Sequence, residues 1–122
     1  MRTAINDSGY KTFKAGANAI PLGSRVKLTA VDTIDLAAAA DSAIGTAMED
    51  IPAGGYGTIK LFTGAGTFYA KASGAISAGA WVYPAASGKI AATGTTALSY
   101  IALEPAGADG DVILITRREK GS

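Results

Sequence analysis

Apolar residues in this chain come in short runs rather than in long helical stripes. In Thr58-Ile59-Lys60-Leu61 they alternate with polar ones, as expected when one sheet face is buried and the other wet, and Phe62 breaks the alternation. Runs rich in β-branched and aromatic residues, bounded by Gly, Pro, Asp or Ser, predict strands over 25–31, 57–63, 67–72, 80–83, 89–92, 98–104 and 111–116. Two punctuating segments, Pro52-Ala53-Gly54-Gly55-Tyr56-Gly57 and Ala106-Gly107-Ala108-Asp109-Gly110-Asp111, hold residues that tolerate positive φ and predict hairpin connections. One short helix is expected over 34–43, capped by Asp35 ahead of the alanine run, with a loop as the alternative. Residues 1–18 show no sustained period and are expected to form an extended N-terminal arm; 119–122 read as a tail.

Sliding the chain on itself by about 55 residues exposes an internal repeat. Ala19-Ile20-Pro21-Leu22-Gly23-Ser24-Arg25-Val26 falls on Ala75-Ile76-Ser77-Ala78-Gly79-Ala80-Trp81-Val82, sharing Ala-Ile-x-x-Gly-x-x-Val. Ala47-Met48-Glu49 falls on Ala102-Leu103-Glu104, and 57–61 is matched to 110–114. The physical reading is a duplicated β unit, about 19–61 and 75–115, inside one domain spanning 19–118. Ile20 and Ile76 enter the core, Gly23 and Gly79 make a tight turn, and Val26 and Val82 begin the next strand. Two such units pairing about a pseudo-twofold axis would close their open edges, so the expected fold is all-β, a small barrel or sandwich.

Composition narrows the function classes. The 122 residues suit a single domain. With no cysteine and no histidine, thiolate and imidazole metal sites, cysteine nucleophiles and Ser-His-Asp chemistry are excluded. Eleven basic against ten acidic residues leave no strong field for nucleic acid or an anionic membrane, so neither is expected as a partner. The longest apolar run, Val112-Ile113-Leu114-Ile115, falls far short of the roughly 18 residues that cross a bilayer. Residues 1–7 lack the apolar core of a signal peptide, so a soluble, unprocessed chain is expected.

The remaining chemical motifs reduce to structure. Gly64-Ala65-Gly66 has Tyr69 where a dinucleotide loop needs its third glycine, and Gly88-Lys89 is followed by Ile90 where a phosphate loop needs Ser or Thr. Asp109-Gly110-Asp111 lacks the spaced acidic ladder of a calcium loop. Glu49 and Glu104 occupy equivalent repeat positions and would be the carboxylate pair of a glycosidase only if they converged in a cleft. No enzyme activity, cofactor or metal is expected. Alternation sends Trp81 and Tyr83 to the face opposite Val82, where they make an exposed patch or cap one end of the barrel.

The stretch Lys71-Ala72-Ser73-Gly74-Ala75-Ile76-Ser77-Ala78-Gly79-Ala80-Trp81-Val82-Tyr83-Pro84-Ala85-Ala86-Ser87-Gly88-Lys89-Ile90 resembles the cement (capsid decoration) proteins of tailed phages, with their Gly-x-x-Val-Tyr and downstream Gly-Lys. The ending Ala102-Leu103-Glu104, leading through small residues to Gly110-Asp111-Val112, is similar to theirs, and the likeness covers about 20–116; Ser99-Tyr100 departs from it where a Gly-containing pair would stand. The resemblance implies a β-barrel or β-tulip, assembly often as trimers, and attachment to the major capsid protein on the outer surface of the virion. On this reading Tyr10, Phe13 and Lys14 of the arm, with Trp81 and Tyr83, contact the capsid or neighbouring copies. A head-completion or tail component, and a carrier barrel using Lys89 at a hairpin tip, are the alternatives.

Overall fold

The computed structural model describes residues 9–63, 66–95, 98 and 100–117. Ten strands follow in order: β1 (Tyr10–Ala15), β2 (Arg25–Ala30), β3 (Thr33–Leu36), β4 (Gly45–Ala47), β5 (Tyr56–Leu61), β6 (Thr67–Lys71), β7 (Tyr83–Pro84), β8 (Ile90–Ala91), β9 (Tyr100–Ala102) and β10 (Val112–Arg117). The first five close into a barrel in the order β1-β3-β2-β4-β5. Its one parallel pairing, β1 with β3, sets Ala15 opposite Ile34, and β5 returns antiparallel to β1 with Phe13 opposite Gly57. The small all-β barrel expected from the sequence is therefore present.

The second half repeats this ring. Strands β6, β10 and β9 form one sheet and β7 with β8 another. Two single bridges join them, Ala72 with Ile90 in parallel and Trp81 with Ile101 antiparallel. The resulting order, β6-β8-β7-β9-β10 and back to β6, is the order of the first barrel. Hydrogen bonds recur one for one: Gly23 N–H to Ala47 O and Gly79 N–H to Ala102 O, Gly16 N–H to Ile34 O and Ser73 N–H to Ile90 O, Ile44 N–H to Val26 O and Leu98 N–H to Val82 O. Gly23 and Gly79 share φ near +84° and +85°, a left-handed turn that only glycine enters without strain.

Each ring closes on its own core. The first holds Phe13, Ala15, Ile20, Val26, Ile34, Ala47, Ile51 and Ile59. In the second, Ala72, Ile76, Val82, Ile90, Ala102 and Ile115 sit at the places of Ala15, Ile20, Val26, Ile34, Ala47 and Ile59. The two units thus close separately instead of pooling their strands into one barrel, because each already satisfies its own edges.

Several expectations are corrected. Residues 10–15 are not an arm: Phe13 and Ala15 point into the first core and β1 is hydrogen-bonded along β5; residues 1–8 and 118–122 lie outside the described residues. The helix over 34–43 is absent, since Ile34 is taken by the pairings with Ala15 and Leu28. The alanine run turns instead, closed by Asp41 N–H to Ala38 O, with Asp41 Oδ2 accepting from Ala38 N–H. The third repeat block stands three residues away from the expected register. Ile59 corresponds to Ile115, not Val112, because Thr58 and Leu114 make the equivalent bonds to Glu49 and Glu104. Phe62 breaks the strand alternation because it leaves the first barrel and packs against Phe68 and Tyr100 of the second, at ring distances of 5.6 and 5.3 Å.

Candidate functional site

The two barrels meet through residues on their outer faces. Among the described residues the buried polar and charged ones are Ser24, Arg25, Thr46 and Lys60. Ser24 lies in the turn before β2; Arg25, Thr46 and Lys60 alternate with core residues on β2, β4 and β5, so these three face outward from the first barrel. They are buried because the second barrel covers them. Gly23 O accepts from Lys71 N–H at 3.1 Å, and Lys60 Nζ donates to Thr67 O at 2.7 Å while lying 4.6 Å from the centre of the Phe68 ring.

Arg25 is the centre of this contact. Its guanidinium donates to Ala85 O at 2.7 Å and to Lys89 O at 3.0 Å, both in the turn between β7 and β8. A further amino contact reaches Ala37 O and Ala38 O of its own barrel at 3.5 Å. Gly88 N–H returns a bond to Ala37 O at 2.7 Å. Gly88 must be glycine there, with φ of +73° and Arg25 O only 2.7 Å from where a Cβ would stand. Burial pulls the Arg25 pKa below its ordinary value, and the Asp41 carboxylate opposes the shift. Asp41 is itself held below the usual carboxylate range by the Ala38 N–H and by Lys27, 3.0 Å away.

The residues expected to make contacts fall out differently. Phe13 is core, 5% exposed, and is unavailable to any partner. Tyr10 and Lys14 are exposed on the outer face of β1. Trp81 and Tyr83 are half-buried on the face of the second barrel opposite the buried Val82, as alternation requires, whereas Tyr10 and Lys14 belong to the first barrel. Sequence reasoning missed Arg25, whose position in the repeat is that of Trp81; the signal available was that exchange of chemistry at one repeat position.

The rejected chemical motifs have structural uses. Asp111 Oδ2 accepts from Gly107 and Ala108 N–H, which shapes the turn before β10. Lys89 is paired with Asp109 at 2.8 Å with its side chain 26% exposed, unlike the free hairpin-tip lysine a carrier needs; the same pair holds the Asp109 carboxyl below its ordinary range. Glu49 accepts from Thr58 N–H and Glu104 from Leu114 N–H, at 2.9 Å each, so each carboxylate is engaged within its own barrel. Glu49→Ala and Glu104→Ala are each expected to cost about 1 kcal/mol in urea unfolding, with the double variant additive. A loss much larger than the sum would show that the two sites are coupled. Among the described residues no group of three or more His, Cys, Asp or Glu is placed to hold a metal, and no helix is long and apolar enough to cross a membrane. A shallow depression of about 300 Å³ lies between Ala19, Ile20, Pro21 and Asp50, Ile51, Pro52; its carboxylate is engaged by Leu22 N–H at 2.7 Å.

Comparison with known proteins gives two findings. A family model described as phage cement protein matches residues 7–117. The solved head fiber gp8.5 N base of bacteriophage phi29 shares the fold, with a TM-score of 0.69 at 15% identity, over 91% of this chain and 98% of that one. No curated protein sequence matches.

Proposed function

Because the chain belongs to the phage cement protein family, whose role is structural decoration of the capsid, we propose that it binds the outer surface of the phage head and reinforces the shell. The observation that carries this reading is the family match, which spans both barrels from β1 to the end of β10. The physical design agrees with it. Two rigid rings share an interface fastened by a buried guanidinium, while the described carboxylates Glu49, Asp50, Glu104 and Asp111 are spent on backbone N–H groups.

The partner we propose is the major capsid protein, with Tyr10, Lys14, Trp81 and Tyr83 as contact residues and a homotrimer as the working assembly. Avidity over a symmetric lattice then lets modest individual contacts hold firmly. The phi29 protein with the same fold is the base of a head fiber, which fits an attachment role for such a barrel pair. Catalysis and nucleic-acid binding form no part of this proposal.

The test is co-sedimentation of the purified chain with expanded and unexpanded capsids. Saturable binding at a fixed ratio to capsid subunits is expected. Absence of binding to both capsid forms would overturn the attachment reading.

A further inference from the structure

The ring repeat matches outward positions of one barrel with those of the other, so a face whose chemistry differs between the two can be picked out. On the second barrel Tyr69 of β6 pairs with Leu114 of β10. Tyr69 lies between the buried Phe68 and Ala70, and Leu114 between the buried Ile113 and Ile115, so both point outward. Leu103 N–H donates to Leu114 O at 2.9 Å, which sets Leu103 on the other side of β10 from Tyr69. Val112 is one outward position along, paired with Lys71. Tyr69, Leu103 and Val112 are 37%, 45% and 37% exposed, and Leu114 is half-buried among them. All of them, with their neighbours along the strands, are among the described residues.

The first barrel carries a different row at the same places. Thr12 with Thr58 corresponds to Tyr69 with Leu114, Lys14 with Tyr56 to Lys71 with Val112, and Met48, whose N–H donates to Thr58 O, to Leu103. The charges at the flanks are kept in both copies, Lys14 and Lys71 on one side and Glu49 and Glu104 on the other, while the middle has changed from a pair of threonines to a tyrosine and a leucine. The second barrel thus presents an apolar row across three strands, with a cation at its β6 flank and a carboxylate at its β9 flank.

Such a face complements itself when one copy is turned about an axis parallel to β10. The rotation carries the β6 flank of one copy onto the β9 flank of the next, Tyr69 onto Leu103 and Lys71 onto Glu104, and gathers Leu114 and Val112 at the axis. Glu104 Oε1 accepts from Leu114 N–H, and a carboxylate has a second oxygen to offer an ammonium. The outside of a closed ring is convex, so across a twofold axis two copies would touch along β10 alone, whereas a threefold axis brings flank against flank. We propose that three copies of the chain assemble through this face, with β10 of each copy at the axis and the β6 flank of one against the β9 flank of the next. The inference rests on the homotrimer of the proposed function and supplies the surface that builds it; capsid attachment is no part of it.

Sedimentation equilibrium of the full chain with no capsid present tests it, and co-sedimentation with capsids is scored separately, so attachment and assembly can fail independently. Wild type should reach the mass of three copies at high micromolar concentration. The double variant Tyr69→Thr, Leu114→Thr gives the face the residues that the first barrel carries at the same places, so the ring accommodates them; it should stay monomeric with unchanged far-UV circular dichroism. Lys71→Glu sets a carboxylate against Glu104 of the next copy and should raise the concentration of half-assembly about tenfold. Val31→Asp removes an 87% exposed apolar side chain from the first barrel and should assemble like wild type. A wild type that stays monomeric or stops at two copies, a double variant or a Lys71→Glu chain that assembles like wild type, or a Val31→Asp chain that is monomeric would each overturn the proposal.

Discussion

Arg25→Ala is expected to destabilise the protein by about 3 kcal/mol, seen as a fall in Tm on the order of 10 °C. Truncation removes the fork that holds Ala85 O and Lys89 O, at 2.7 and 3.0 Å, and leaves those carbonyls facing a void under the second barrel. Because Arg25 joins the two rings, the loss should also appear as a loss of coupling. Trp81, the only tryptophan, reports on the second barrel, whereas far-UV circular dichroism reports on both. In wild type the two urea transitions should coincide, and in Arg25→Ala they should separate. Arg25→Lys keeps the charge but presents no planar fork, so it should recover only part of the loss. A midpoint and probe coincidence unchanged in Arg25→Ala would show that the other contacts between the barrels, Lys60 with Thr67 and Phe68, Gly88 with Ala37, and Phe62 with Phe68 and Tyr100, couple them without the guanidinium.

How far the sequence disclosed this arrangement depended on whether a residue's neighbours lie near it along the chain. Ala-Ile-x-x-Gly-x-x-Val was legible because turn and strand entry are local events, and the left-handed Gly23 and Gly79 stand where the repeat placed them. Strand β1 was not, because its pairing partners lie in β3 and β5, and only Phe13 and Ala15 of its six residues face inward. A usable signal lies in Lys14-Ala15-Gly16 against Lys71-Ala72-Ser73, a match that extends the repeat back into residues 1–18. The alanine run after Leu36 has good helix propensity, yet tertiary pairing of Ile34 outweighs it. As for the contact residues, exposure of Trp81 and Tyr83 followed from alternation, but burial of Arg25 did not, since nothing local indicates that another barrel will cover it.

The second large effect is expected at Gly57, where the two cores solve one packing problem in opposite ways. In the first barrel Phe13 faces Gly57 across β1 and β5, and Ile51 fills the space above the glycine; in the second, Ala70 faces Ile113, and Ala106 stands at the place of Ile51. Large and small residues have exchanged places while the ring stayed the same, as interiors packed to a fixed volume require. A Cβ on Gly57 would stand 2.6 Å from Ile51 Cδ1, and Ile51 is 1% exposed, so one of the two must shift. Gly57→Ala should therefore cost about 2 kcal/mol through overpacking, and Ile51→Ala about 3 kcal/mol through the cavity it opens. In the double variant the new methyl group occupies part of that cavity, so its loss should fall short of the sum by at least about 1 kcal/mol. Strict additivity in urea unfolding would mean that the two side chains do not compete for one volume. The triple variant Phe13→Ala, Ile51→Ala, Gly57→Ile carries the exchange to completion by giving the first barrel the residues of the second. It should fold more stably than Ile51→Ala with Phe13→Ala alone, because the isoleucine restores the apolar volume those truncations remove.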